Sequence, residues 1–250
     1  MKIIVKLSLM SAVIGLTAIA AAASGPDQAK WDSLLKQYVN SEGRVDYRAL
    51  KAGGSAELDS YLHGVAVGWP EDMPTAARKA ALINAYNALT VRWIVANYPV
   101  ASIEKTSNPF KSLRHTVDGH KVSLDQVEAK LRAMKDPRIH AALVCAGKSC
   151  PPLRREAYVA DKLDAQLDDN VRAWLSNTGL NEFDPQRRVA SVSSIFKWYR
   201  HDFEAAGGLM HFLSRYAPQG RGGFLLGNGA RLEFKHYDWG LNETSGPGVK

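Results

Sequence analysis

The chain has 250 residues, 46% of them hydrophobic, with 32 Lys and Arg against 25 Asp and Glu and only two cysteines. That length allows one large domain or two small ones and a sizeable core, so dependence on a disulfide scaffold is excluded. The formal charge of +7 at pH 7 is scattered, with no run of five like charges and no nucleic-acid motif. It therefore reads as solubility or as weak attraction to an anionic envelope surface.

The N-terminus carries Lys2 and Lys6, an apolar segment from Leu7 to Ala20 and the small-residue stretch Ala20 to Ser24. Residues 1–23 are expected to be a secretory signal peptide, too short to cross a bilayer and followed by alanines rather than a basic flank. No later apolar run is long enough to span a membrane. The mature chain is expected to be soluble and periplasmic or secreted, with residues 24–245 forming one domain and 246–250 a frayed tail.

In chain order, residues 27–39 read as a helix with Trp31, Leu34, Leu35 and Tyr38 inward. After a short extended piece at 43–50, a second helix is expected over 56–65. The longest candidate runs from Thr75, taken as the N-cap, to Asn97 and is apolar nearly all round, as suits the middle of a core. Asn84 and Asn87 lie within it at an i, i+3 spacing, which puts both amides on one side, where they need hydrogen-bond partners.

Residues 112–123 alternate about Asp118-Gly119, a strong hairpin signal. Ser123 with Gln126 forms a capping box opening the helix 124–134. Residues 139–145 are expected to form a buried strand. An amphipathic helix follows over 160–175, then a strand over 188–193, a helix containing 195–203 and capped by Ser193 or Ser194, and a further helix over 209–216. The final strand, 231–237, follows a second hairpin turn at Asn228-Gly229. The fold class expected is α+β, a mainly helical single domain with a small antiparallel or mixed sheet of four to five short strands. No internal repeat is visible.

The stretch RIHAALVCAGKSCPPL, residues 138–153, holds both cysteines and is the centre of any functional reading. Cys145 and Cys150 are five apart and form an even pair in an oxidising compartment, so a disulfide that shapes the turn is expected. The alternative is thiol catalysis by Cys150, with His140 as base. On a strand, His140 and Cys145 would point to opposite faces, which leaves Cys150 as the thiol facing a cleft. Lys148 and Ser149 in the AGKS turn could hold an anion, although the spacing of a phosphate loop is absent.

Asp238 and Trp239 suit either a pocket wall or a C-terminal tether. Asn84 and Asn87 could orient a ligand. No HExxH, CxxC or GxSxG motif occurs, so no metal site and no cofactor are expected. The partner is an unspecified envelope ligand or protein, and not nucleic acid.

Six separated segments resemble one known family: WDSLLKQYV with GRVDYRAL, ALINAYNALTVRWI, KVSLDQVEAKLR, DPRIHAALVCAGKSCPPL, IFKWYRHDF and YDWGLN. It is the family of domain of unknown function 547. The resemblance implies one domain of a kind found in exported bacterial proteins and in plant proteins beside a leucine zipper. It implies no reaction. The motif residues it carries over are Asn84, Tyr86, Asn87, Glu128, Arg132, His140, Cys145, Ser149, Cys150, Pro151, Asp238 and Trp239.

Overall fold

The computed structural model describes residues 25–244; the expected leader (1–23) and the expected tail (246–250) lie outside them. Helix α1 (Gln28–Tyr38) is capped by the Asp27 carboxylate, which accepts from the Ala29 N–H at 3.1 Å, and it buries the four residues expected of it. A short helix, α2 (Tyr47–Ala49), runs through a π turn (Leu50–Gly54) into α3 (Ser55–Ala66). Gly54 is required there, because a Cβ would lie 2.6 Å from Leu50 Cδ1 and 2.7 Å from Tyr38 Cε2.

Helix α4 (Thr75–Asn97) is the axis of the core, buried continuously from Ala80 to Val91. Thr75 is its first helical residue and not its cap. Pro74 takes the cap position without a side-chain hydrogen bond. The hairpin of β1 (His115–Val117) and β2 (His120–Val122) turns at Asp118 and Gly119, whose φ values of 51° and 74° are both left-handed, as the turn requires. The Asp118 carboxylate also accepts from the Trp69 N–H and pairs with Arg78, each at 2.6 Å. Helix α5 (Leu124–Arg132) carries the expected capping box.

The expected strand over 139–145 is absent. Residues Pro137–Ala141 form a 3-10 turn behind an Asp136 cap, and the chain continues without regular structure through Cys145. An apolar run of this length has no intrinsic strand signature, and among the described residues no strand pairs with it. Its backbone is satisfied instead by a helix side chain. The Asn87 amide donates to the Ala142 carbonyl and accepts from the Val144 N–H, both at 2.9 Å. Asn84 grips a second segment in the same way, donating to the Tyr158 carbonyl at 2.8 Å and accepting from its N–H at 3.0 Å.

Helix α6 (Leu163–Ser176) follows a 3-10 turn (Ala160–Lys162), and Trp174 on it stacks against Phe196 at 4.5 Å. A three-stranded sheet then forms, with β3 (Glu182–Asp184) antiparallel to β4 (Val189–Val192) and β4 parallel to β5 (Arg231–Phe234). The strands thus divide between two small sheets. The turn at Asn228-Gly229 joins a 3-10 turn (Gly223–Leu226) to β5 and closes no hairpin.

The helix expected to contain 195–203 is broken at Tyr199 into α7 (Ile195–Trp198) and α8 (Arg200–Ala205), and α9 (Leu209–Tyr216) completes the layer. The architecture is mainly helical α+β around one hydrophobic core. No helix among the described residues is long and apolar enough to cross a membrane.

Candidate functional site

The last described segment crosses the AGKS turn and ties it down. The Lys148 N–H donates to the Gly240 carbonyl at 2.7 Å, and the Asn242 N–H to the Ala146 carbonyl at 2.9 Å. Ser149 and Asp238 hold each other: the Ser149 N–H donates to the Asp238 carbonyl at 3.1 Å, and the Asp238 N–H to Ser149 Oγ at 2.9 Å. The Asp238 carboxylate accepts from the Gly240 N–H at 2.7 Å. These contacts carry Tyr237 and Trp239 against Trp198 of α7.

Between these elements lies a cavity of about 250 Å³. Its walls are the rings of Tyr86 from α4, Phe110, Trp198 and Tyr199 from the break between α7 and α8, and Tyr237 and Trp239. Asp125 and Glu128 from α5, His140, Leu143, Cys145 and Ile195 complete the lining. The aromatic wall is continuous, with Trp198 stacked on Trp239 at 6.1 Å and Tyr237 tilted against both tryptophans, at 4.8 Å from Trp198 and 4.7 Å from Trp239.

His140 is 4% exposed, stacks on Tyr199 at 4.2 Å and bonds through Nε2 to Asp202 Oδ2 at 2.9 Å. Arg132 grips the same carboxylate with two hydrogen bonds, of 2.6 and 3.0 Å. Those bonds from Arg132 hold the Asp202 carboxyl below the usual carboxylate range. Burial pushes His140 down to about 4, outweighing the attraction of Asp202. The ring is therefore neutral at pH 7. Because Asp202 is ionised, the proton is assigned to Nε2, which leaves Nδ1 as an acceptor.

Glu128 is moved the other way. Burial raises its pKa, against a hydrogen bond from the Tyr199 hydroxyl that favours the ionised form. Burial and the Glu128 carboxylate in turn raise the Tyr199 hydroxyl.

Cys145 and Cys150 form a disulfide with their α-carbons 6.3 Å apart. Cys145 is half-buried and lines the cavity, whereas Cys150 is 4% exposed and lies behind it. Ala146 has a left-handed φ of 65°, which turns the amides on either side of it toward a common point. The Cys145 and Gly147 N–H groups both donate to Cys150 Sγ, at 3.1 and 3.4 Å. The Tyr237 hydroxyl lies 3.0 Å from Cys145 Sγ and 3.1 Å from Cys150 Sγ.

Several expected roles change. Cys150 does not face the cleft; Cys145 does, and it shares the cavity with His140, because the segment joining them is not a strand and alternation does not apply. Asn84 and Asn87, 0% and 2% exposed, are occupied as backbone clamps and do not line the cavity. Lys148 borders a separate polar cleft with Asp46, Tyr98 and Glu243, and Ser149 and Asp238 act as a tether. Trp239 lines the aromatic cavity.

Residue reading alone did not place Asp125, Trp198, Tyr199, Asp202 or Tyr237 at a site. The legible signals were the i, i+3 spacing of Asp125 and Glu128 and the aromatic density of IFKWYRHDF. Among the described residues no group of His, Cys, Asp and Glu could hold a metal ion.

Residues 70–175 match the family model described as "Protein of unknown function, DUF547". The resemblance implied by the motifs is thereby shown over that span, which holds Glu128, His140 and both cysteines. The Trp198, Tyr199, Tyr237 and Trp239 wall lies beyond it. No curated protein and no solved structure matches the chain.

Proposed function

We propose that this chain is an exported binding module of the cell envelope whose aromatic cavity takes a small ligand bearing a cationic group. The supporting observation is the arrangement of six aromatic rings around the Glu128 and Asp125 carboxylates. Aromatic faces attract a cation by about 0.5–2 kcal/mol each when water is excluded, and a half-buried carboxylate supplies the counter-charge. The disulfide and the tether support the binding reading because they hold one wall of the cavity in place.

The test is titration of the oxidised protein with a choline-type quaternary ammonium ion and with its uncharged carbon isostere, followed by the fluorescence of Trp198 and Trp239. The cation is expected to quench saturably and the isostere not to. Equal binding of both would overturn the reading. Export is tested separately by N-terminal sequencing of the mature chain, which is expected to begin near Ala23 or Ser24.

A thiol-dependent hydrolase or transferase is the second reading. One observation favours it, that His140 and Cys145 line the same cavity. It requires a reduced site and moves the nucleophile from Cys150 to Cys145, because Cys150 is buried. Single labelling of Cys145 by iodoacetamide at pH 6 in the reduced protein would support it, and inertness to pH 9 would count against it.

A further inference from the structure

The two sulfurs of the disulfide differ in access and in electrostatic surroundings, and the difference has a direction. Cys145 is half-buried and lines an aromatic cavity of about 250 Å³, so its side of the disulfide is the one a small molecule can approach. Cys150 is 4% exposed and is the sulfur on which backbone donors converge. A disulfide sulfur is a weak acceptor, so two N–H groups and a tyrosine hydroxyl do little for it. The same three donors around a thiolate are charge-assisted hydrogen bonds, and they favour that state strongly.

We propose that the Cys145–Cys150 bond is a thiol–disulfide exchange site, with Cys145 the sulfur attacked, Cys150 the leaving thiolate and a small thiol as substrate. The incoming thiol enters as its thiolate, its proton having gone to solvent. Its sulfur bonds to Cys145 Sγ as the Cys145–Cys150 bond breaks, and the electron pair of that bond passes to Cys150 Sγ. The substrate sulfur is oxidised to the mixed-disulfide level, and Cys150 is reduced to a thiolate. The thiolate is received by the Cys145 and Gly147 N–H groups and the Tyr237 hydroxyl, at 3.1, 3.4 and 3.1 Å from its sulfur. Attack by Cys150 on the mixed disulfide reverses the step. A second thiol attacking the adduct releases the substrate disulfide and leaves both cysteines reduced.

Exchange is fastest when the leaving thiolate is stabilised and the attacked sulfur is the accessible one, and the donors around Cys150 and the opening at Cys145 favour the same direction of attack. Attack in the opposite sense would require entry to a buried sulfur and would leave the thiolate on Cys145, away from the converging amides. Tyr237 is a positioning and stabilising residue here. Its hydroxyl is the one side-chain donor within reach of both sulfurs among the described residues.

The experiment treats the oxidised chain with cysteamine, a small cationic thiol that the cavity carboxylates do not repel, quenches with acid and maps the adduct by peptide mass spectrometry. The expected product carries cysteamine on Cys145, with Cys150 free and alkylated by iodoacetamide at pH 6. An adduct on Cys150, or no adduct until denaturant is added, would overturn the proposal.

Tyr237→Phe keeps the ring and removes the donor, and it is expected to slow adduct formation about tenfold without moving the adduct. An unchanged rate removes Tyr237 from the step. Titration of Cys150 by thiolate absorbance in Cys145→Ser should give a pKa below the ordinary value of about 8.5, and a value at or above it overturns the leaving-group argument. If either variant misfolds, adduct mapping of the unaltered chain still decides. Failure here is separate from failure of the binding reading, which is measured on the oxidised protein without thiol.

Discussion

Buried polar groups serve this molecule in two ways. In the clamps around α4, Asn84, Asn87 and, from α6, Gln166 and Asn170 bond backbone groups of neighbouring segments. These amides have little capacity left for a ligand. At the cavity, His140 is anchored on Asp202 and Tyr237 on the two disulfide sulfurs, and both also line open space. A buried polar residue is thus no guide to function until its partners are known. Asn84, Asn87 and Gln166 are bonded through both oxygen and nitrogen, whereas the groups lining the cavity keep one side open.

The sharpest way to break the comparison is Asn87→Ala, which leaves the Ala142 carbonyl and the Val144 N–H buried without partners. A loss of about 4 kcal/mol is expected, read as a lower denaturant midpoint. A loss under about 1 kcal/mol would mean that water replaces the clamp.

Acid comes next. Burial lowers both His115 and His140 to about 4 from an ordinary 6.5, so in each case the unfolded chain binds the proton more tightly. Their contribution is fully present above pH 6.5 and is lost as pH falls from 6.5 to about 4, by on the order of 3 kcal/mol for His140 and less for the more accessible His115. Below that, Asp136, Asp168 and Asp202, whose pKa values are lowered, continue the decline as they protonate.

Melting temperature against pH for His140→Gln and His115→Gln should show a shallower slope in each variant. The two histidines share a shift but not a setting. Buried His115 Nε2 has no hydrogen-bond partner among the described residues, whereas His140 has Asp202 and a cavity. A ligand protecting His140 and not His115 would sharpen the distinction.

Asp202→Asn keeps the shape and removes the charge that Arg132 and His140 share. A loss of about 2 kcal/mol is expected in denaturant unfolding. The smallest effect should come from Asp59→Ala on the surface. Its pairing with Arg92 at 2.5 Å involves an Asp59 side chain that is 51% exposed, so a change under about 0.5 kcal/mol is expected in the same unfolding measurement.

Local signals were legible where the structure is local. The four inward residues of α1, the Asp118-Gly119 hairpin and the Ser123–Gln126 capping box all depend on neighbours within four residues. The 139–145 segment was misread because a buried apolar run has the same appearance whether a strand or a side-chain amide satisfies its backbone. The break at Tyr199 was missed because nothing in IFKWYRHDF interrupts a helical pattern. At the break, Tyr199 stacks on His140 and lies under the Arg132 guanidinium, both distant in sequence.

By itself the sequence determined a mainly helical α+β chain with α4 at its centre, from periodicity and capping, and it narrowed Cys145 and Cys150 to a clasp or a working thiol. Only the tertiary structure decided which sulfur faces outward, that Asn84 and Asn87 are clamps, and that Trp198, Tyr199, Tyr237 and Trp239 form one wall with Glu128. Those facts depend on contacts between residues more than a hundred positions apart, and no local pattern encodes the direction in which a side chain finally points.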